Sequence, residues 1–255
     1  MRKATTSLDF RSSILDPHSL FISDLHLTPN HPESMAAFQH FIATVAPQAE
    51  ALYILGDLFE YWAGDDDMHD AFHRQVIDAI LSLSAHATRT YLMHGNRDLL
   101  MGEVLATACA ATLLSDPTLV DMYGTPTLLC HGDTLCTDDI DYQAFRVQVH
   151  TIDFKKQFLS RPLAERKHYI EQLRARSDRE KQEKTGEIMD VNNAAVEQLL
   201  REYHYPRLIH GHTHRPQRHE HRLEGHVCER WVLGDWDKQA NALNCDAQGC
   251  RNVVL

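Results

Sequence analysis

Two imidazoles alternate with small residues in His210-Gly211-His212-Thr213-His214. The apolar run before them, Arg207-Leu208-Ile209, reads as a strand, so His212 and His214 leave its C-terminal end on a loop. Side chains two apart in extended chain face the same way. Small residues between them let the backbone approach an ion or a phosphate closely. Alone the segment is a weak signal, because in a chain with 18 histidines a His-rich loop is more often a solvated turn. Its weight comes from four other stretches of the same character: Asp24-Leu25-His26, Gly56-Asp57, Gly95-Asn96 and His131-Gly132-Asp133. Together they supply Asp24, His26, Asp57, Asn96, His131, His212 and His214, seven N/O ligands with no thiolate. That is too many for one transition-metal ion and fits two, with Asp57 as the bridging carboxylate. The donor mix suits Mn²⁺, Fe²⁺ or Zn²⁺ rather than Ca²⁺. Two such ions clamp the oxygens of a phosphoryl centre and generate hydroxide at neutral pH.

Each of these residues follows an apolar run of strand character. Ser19–Ser23 precedes Asp24, Ala51–Leu55 precedes Gly56, Thr90–His94 precedes Gly95, and Thr127–Cys130 precedes His131. A further run, Arg230–Leu233, continues the sheet. Between them lie helical stripes: Met35, Phe38, Phe41/Ile42 and Val45 after Pro32, then Phe72, Val76, Ile80 and Leu83. An acidic loop, Gly64-Asp65-Asp66-Asp67, separates the second strand from the second helix. Strand, polar loop and helix repeat, which is the pattern of an α/β layered domain. Ligands in such domains collect at the C-terminal ends of strands. Any one Gly-Asp or Gly-Asn after a strand is ordinarily a turn; five at the same strand ends are not explained that way.

The ordered set D-x-H, G-D, G-N, a lone His and G-H-x-H resembles the calcineurin-like binuclear metallophosphoesterases over Asp24 to His214. The resemblance implies an α/β fold, an αββα sandwich with a helical insertion. The core would be residues 1–139 and 204–255, and the cap residues 140–203. The longer stretches Gly-Asp-Leu-Phe-Glu (56–60), Gly-Asn-Arg-Asp (95–98), His-Gly-Asp-Thr-Leu-Cys-Thr-Asp-Asp (131–139), Ile-Met-Asp-Val-Asn (188–192) and His-Gly-His-Thr-His-Arg-Pro (210–216) are similar to the UDP-2,3-diacylglucosamine pyrophosphatase family of lipid A biosynthesis. Members cleave UDP-2,3-diacylglucosamine to 2,3-diacylglucosamine 1-phosphate and UMP, with metal-activated water attacking the uridine-linked phosphorus. The resemblance implies two Mn²⁺, or another divalent transition metal. Asp24, His26, Asp57 and His214 would hold one ion, and Asp57, Asn96, His131 and His212 the other. Asp57, Asn96, Arg97 and His131 would be catalytic. Asn96, Arg97, Asp139, Ser177, Lys181, Lys184 and His212 would contact substrate, with Lys181 at a position where the family pattern has Asn. Members work at the cytoplasmic face of the Gram-negative inner membrane. The implied partners are therefore the lipid substrate and an anionic membrane surface, with no obligatory protein partner.

Most metallophosphoesterases carry His after the Asn of the third motif; here Arg97 stands there. A phosphate monoester leaves as a stable anion and needs little general-acid help. It does need charge stabilisation, which a bidentate guanidinium supplies better than an imidazole. The substitution fits pyrophosphate cleavage better than alkyl phosphodiester cleavage. A phosphodiesterase or phosphoprotein phosphatase on the same metal core would have no need of a helical cap. A scaffold protein on a decayed fold would be expected to have lost ligands, and all seven are present.

Length and composition agree with this reading. A chain of 255 residues buries an ample core as one large domain with an insertion. A formal net charge of -11 argues against a nucleic-acid binder. No apolar run approaches a membrane span, and Met1–Pro17 has no apolar core, so a signal peptide is not expected there. The six cysteines include no C-x-x-C pair and are expected to be reduced thiols. From Arg146 to Asp190 there are eleven Lys/Arg and eight Asp/Glu, a net of +3 in an acidic chain. That segment carries three apolar stripes: Phe145, Val149, Ile152 and Phe158/Leu159; Tyr169 and Leu173; Val196, Leu199 and Tyr203. It reads as a cap over the strand ends, basic enough to receive an anion.

Overall fold

Alternation along the strands decides the layers. Side chains of a strand point to opposite faces in turn, and here both faces of the central strands are apolar. In β1 (His18–Ile22), Leu20 and Ile22 enter one core while Phe21 enters another. In β2 (Ala51–Leu55), Leu52 and Ile54 face the first core and Ala51, Tyr53 and Leu55 the second. Such strands must be covered on both sides. The computed structural model describes residues 17–183, 190–237 and 239–255 and shows how.

Two sheets stack face to face. The first runs β11-β10-β1-β2-β3-β4, with β3 Arg89–Met93, β4 Ala111–Leu114, β10 Asn241–Asp246 and β11 Gly249–Val254. Strands β1 to β4 are parallel, and the β10–β11 hairpin adds antiparallel to β1. The second sheet runs β5-β6-β7-β9-β8: β5 Thr118–Met122, β6 Thr125–Cys130, β7 Arg207–His210, β8 Gln217–Leu223 and β9 His226–Val232. Strands β6, β7 and β9 are parallel. Phe21, Tyr53 and Leu55 meet Leu129, Ile209 and Trp231 between the sheets. Helices α1 (Pro32–Thr44), α2 (Ala71–Ser82) and α3 (Glu103–Ala108) cover the first sheet. Helix α7 (Asn193–Glu202) turns Val196 and Leu200 onto the outer face of the second. This is the expected αββα sandwich. The third apolar stripe therefore packs on a sheet instead of facing the strand ends.

Between β6 and α7 run α4 (Ile140–Val149), α5 (Ile152–Leu159) and α6 (Leu163–Glu183). The acidic loop after β2 anchors them. Arg166 on α6, only 2% exposed, donates to Ala63 O and to Asp66, while Lys167 Nζ lies 2.5 Å from Asp67. A buried guanidinium is tolerated only when its donors are met in this way. At the other end, Arg146 Nε and Tyr142 Oη donate to Asp133 Oδ2 at 2.7 and 2.6 Å.

One expectation is corrected: Cys245 and Cys250 form a disulfide, while Cys109, Cys130, Cys136 and Cys228 are buried thiols outside any disulfide. The two pair directly across the β10–β11 hairpin, whose turn is Ala247-Gln248. A spacing of five suits this cross-strand position and matches no metal motif.

Candidate active site

Candidate ligands from both sheets meet at one edge of the sandwich. Asp24 and His26 leave β1, Asp57 leaves β2, Asn96 leaves β3, His131 leaves β6, and His212 and His214 leave β7. The loops interlock through the backbone: Asp24 N donates to Gly56 O, His26 N to Asp57 O and Gly211 N to His131 O. Asp24, His26, Asp57, His212 and His214 all have positive φ, between 47° and 69°. Non-glycine residues adopt that conformation rarely and at a cost, and such strain clusters at functional sites. Gly95 and Gly211 permit the approach. A Cβ on Gly95 would strike the Asp57 carboxylate, and one on Gly211 would strike Ser23 Oγ and Asp24 Oδ2.

The side chains form two groups, Asp24/His26/His214 and Asp57/His131/His212, with the ligand atoms of each within 4.8 Å of one another. Asp57 joins them: its Oδ2 lies 3.8 Å from His26 Nε2 in the first and 3.8 Å from His131 Nε2 in the second. Asn96 Oδ1 lies 3.2 Å from His131 Nε2 and 3.0 Å from His212 Nδ1. All seven candidate ligands are thus brought together. Their chemistry fits divalent cations. His26 Nε2 and His214 Nε2 face each other at 3.3 Å, and Asp24 Oδ1 is buried with no hydrogen-bond donor, 3.4 Å from His214 Nε2. A buried carboxylate oxygen without a donor is costly unless a cation meets it.

Electrostatics follow the same geometry. Burial raises the Asp24 pKa, but the imidazoles of His214, His131 and His26 outweigh it and hold the carboxyl far below its usual range. Burial lowers His131, yet Asp57, Asp24 and Asp133 drive it up to about 10. His212, buried and facing His131, falls to about 4. The site is a dense alternation of acidic and basic groups whose balance a bound cation would reset.

Residues around the ligands fix their orientation. His131 Nδ1 donates to Leu55 O at 2.9 Å, which leaves Nε2 turned to the site. His214 Nδ1 lies 3.0 Å from Asp235 Oδ2, and His26 Nδ1 lies 3.2 Å from Glu60 Oε2. Fully buried Asp98 accepts from Gly95 N and Leu58 N at 2.8 Å, and from Asp57 N and Phe59 N at 3.3 and 3.4 Å. Burial and the Asp57 charge push Asp98 up to about 7, against the pull of those N–H groups. Sequence reasoning named none of Glu60, Asp98, Asp235 or Arg174 as site residues. Two stand inside the quoted motifs. Gly234-Asp235 after β9 repeats the strand-end Gly-Asp pattern and was legible on that ground.

The site opens into a cavity of about 510 Å³ beneath α4, α5 and α6. Asn96, Arg97, Asp139, Ser177 and His212, five of the seven candidate substrate contacts, line it. Its far wall is Phe145, Val149, Phe154, Phe158, Tyr169 and Leu173. Lys184 and the side chain of Lys181 lie outside the described residues, as do Ile188 and Met189 of the fourth motif. Arg97 keeps its side chain 3.8 Å from Glu60 while its backbone N–H donates to Asp57 Oδ1 at 2.8 Å.

Comparison with known proteins gives the same answer. Residues 18–216 match the family described as calcineurin-like phosphoesterase, whose membership implies binding of divalent metal. A UDP-2,3-diacylglucosamine hydrolase of Aromatoleum aromaticum is 52% identical over 91% of this chain and 94% of its own. Enzymes of the same description from Haemophilus influenzae and Aeromonas hydrophila are 47% and 45% identical, over 91% and 89% of this chain and 96% and 94% of theirs. The chain belongs to the calcineurin-like phosphoesterase family and, within it, to the family of the UDP-2,3-diacylglucosamine hydrolases.

Proposed function

We propose that this protein hydrolyses the pyrophosphate bond of UDP-2,3-diacylglucosamine, giving 2,3-diacylglucosamine 1-phosphate and UMP. The observation that carries the reading is the pairing of two ligand groups around Asp57 with an aromatic and aliphatic cavity that opens from them. A phosphoprotein or cyclic-nucleotide substrate has no use for such a cavity; two acyl chains do. The names and high identity of the relatives support the same substrate.

Asp24, His26, Asp57 and His214 would hold one cation, and Asp57, Asn96, His131 and His212 the other. Two Mn²⁺ suit this donor set, as does another divalent transition metal. When bound, the pair supplies Lewis acidity that lowers the pKa of water and neutralises phosphoryl charge. The protein's own groups do the rest. Water attacks the uridine-linked phosphorus, and the sugar 1-phosphate departs. Arg97 stabilises the charge that develops on the departing phosphate. Asn96 and His212 orient the scissile diphosphate. Asp139, the N-cap of α4, and Ser177, on α6, contact the substrate, a role the resemblance also implies for Lys181 and Lys184. Phe145, Phe158, Tyr169 and Leu173 enclose acyl chains and exclude water.

In this reading, residues 1–139 and 204–255 form the catalytic core and α4, α5 and α6 the cap expected over 140–203, while α7 belongs with the core because it covers the second sheet. None of the described helices is long and apolar enough to cross a membrane. On the cap's outer surface, Ile140, Val147 and Ile152 are 76%, 68% and 83% exposed. Apolar groups of this kind beside basic ones support docking at an anionic bilayer, here the cytoplasmic face of the bacterial inner membrane. The direct test is turnover of the diacylated substrate in ¹⁸O-labelled water with Mn²⁺. The proposal requires UMP and the sugar 1-phosphate as products, with the label in UMP. Label in the sugar phosphate, or no turnover, refutes it.

A further inference from the structure

Glu60 closes the quoted 56–60 motif, and neither the metal groups nor the substrate contacts account for it. Three charged or ionisable side chains converge on its carboxylate from three separate segments. His26, from the loop after β1, brings Nδ1 to 3.2 Å of Oε2. Arg97, from the loop after β3, brings Nη1 to 3.8 Å of Oε1. Arg174, from α6, donates through Nη2 to the same Oε1. The side chains of Glu60, His26 and Arg97 are 17%, 14% and 14% exposed and that of Arg174 is 29%, so the cluster is half-buried in the cavity wall.

Each contact has a separate consequence. An imidazole whose Nδ1–H faces a carboxylate keeps Nε2 as the free lone pair, held in the orientation a cation needs. His26 Nε2 is the atom that faces His214 and Asp57. Nδ1 is buried and the 3.2 Å contact falls short of hydrogen-bond alignment, but Glu60 Oε2 is the acceptor placed to meet it. On the other side, one carboxylate between two guanidiniums leaves an excess positive charge. Arg97, Arg174 and Glu60 all line the cavity beside the ligand groups. An ordinary surface ion pair would do neither of these things.

We propose that Glu60 is a positioning residue with two functions: it sets the His26 imidazole for the metal, and it holds Arg97 and Arg174 side by side as a clamp for the substrate's diphosphate. One link from the cap to the metal site thereby runs from Arg174 through Glu60 to His26, beside the stacking of Tyr142 on His212. This inference rests on the function proposed above.

The test begins with metal-free protein and a titration with Mn²⁺, free ion being followed by electron paramagnetic resonance. Wild type is expected to take up two Mn²⁺. Glu60→Gln keeps the shape and removes the charge. It should weaken at least one Mn²⁺ by about 10–100-fold, raise KM for the diphosphate substrate, and leave the melting temperature of the chelated protein unchanged. Arg174→Met is the comparison: it should raise KM and leave Mn²⁺ affinity at the wild-type value. Wild-type Mn²⁺ affinity in Glu60→Gln overturns the proposal. So does a loss of affinity matched by a lower melting temperature of the chelated protein, which would make the role merely structural. A wild-type chain that takes up no Mn²⁺ overturns the metal assignment itself, a result distinct from either.

Discussion

Replacing Arg97 by Ala separates charge stabilisation from metal binding. The side chain is 14% exposed and sits against Glu60, pointing into the cavity. Its backbone N–H, which donates to Asp57 Oδ1 at 2.8 Å, survives the change. Metal content should therefore stay at the wild-type level. What is lost is a bidentate guanidinium on the departing phosphate, two charge-assisted bonds at about 1.5–2 kcal/mol each. The sum, about 3–4 kcal/mol, corresponds to roughly 10²–10³-fold in kcat/KM. Arg97→Lys should recover only part, because an ammonium cannot make the planar two-point contact. The assay is UMP release from the diacylated substrate, run beside hydrolysis of a small phosphodiester with no second phosphate, whose rate should change far less. If both activities fall together, or if Mn²⁺ is lost, the assignment of Arg97 to the leaving phosphate is wrong.

Asp98→Ala strips the acceptor from four buried N–H groups, so thermal unfolding should show a loss of about 3–5 kcal/mol and Mn²⁺ should bind more weakly; unchanged stability contradicts its bracing of the Asp57 and Asn96 loops. Phe145→Asp or Tyr169→Asp should raise KM for the lipid substrate and spare the small phosphodiester, whereas a joint fall of both activities with the melting temperature would make those residues core. Burial, then the charges of Arg146 and Lys155, holds His150 down to about 4. Between that value and its ordinary 6.5 the folded state binds fewer protons than the unfolded, so its contribution to stability is full above pH 6.5 and is lost as pH falls toward 4. His150→Asn should flatten that acid limb in a series of melting curves, and an unaltered limb assigns it to other groups.

The legible parts were those whose cause is local. Short apolar runs ending in Asp, Asn, His or Gly located β1, β2, β3, β6 and β7, and with them all seven candidate ligands, because each lies on the loop leaving the strand that carries it. β8 was missed because Gln217–Leu223 is almost wholly polar; a Glu224-Gly225 turn with both φ positive folds it back on β9. Helix α3 was missed because its N-terminus is held by a distant side chain, Asp65, which accepts from Gly102, Val104 and Leu105. The disulfide escaped notice because β10 and β11 were not recognised as strands, although Asp246 and positive-φ Gly249 mark the turn between them. The groups that back the ligands were hidden for a similar reason. Glu60 and Asp98 act across segments about 35–40 residues away, and only the folded arrangement shows whom they touch.

The central claim is that Asp57 joins two cation sites and that hydrolysis needs both. Its test is Mn²⁺ uptake by wild type and Asp57→Ala, measured on the same samples as UMP release. Wild type should take up two Mn²⁺ per chain. Asp57→Ala should lose at least one of them and release no UMP while remaining folded. An Asp57→Ala protein that turns over at the wild-type rate, or a wild type fully active with a single Mn²⁺, would contradict the account.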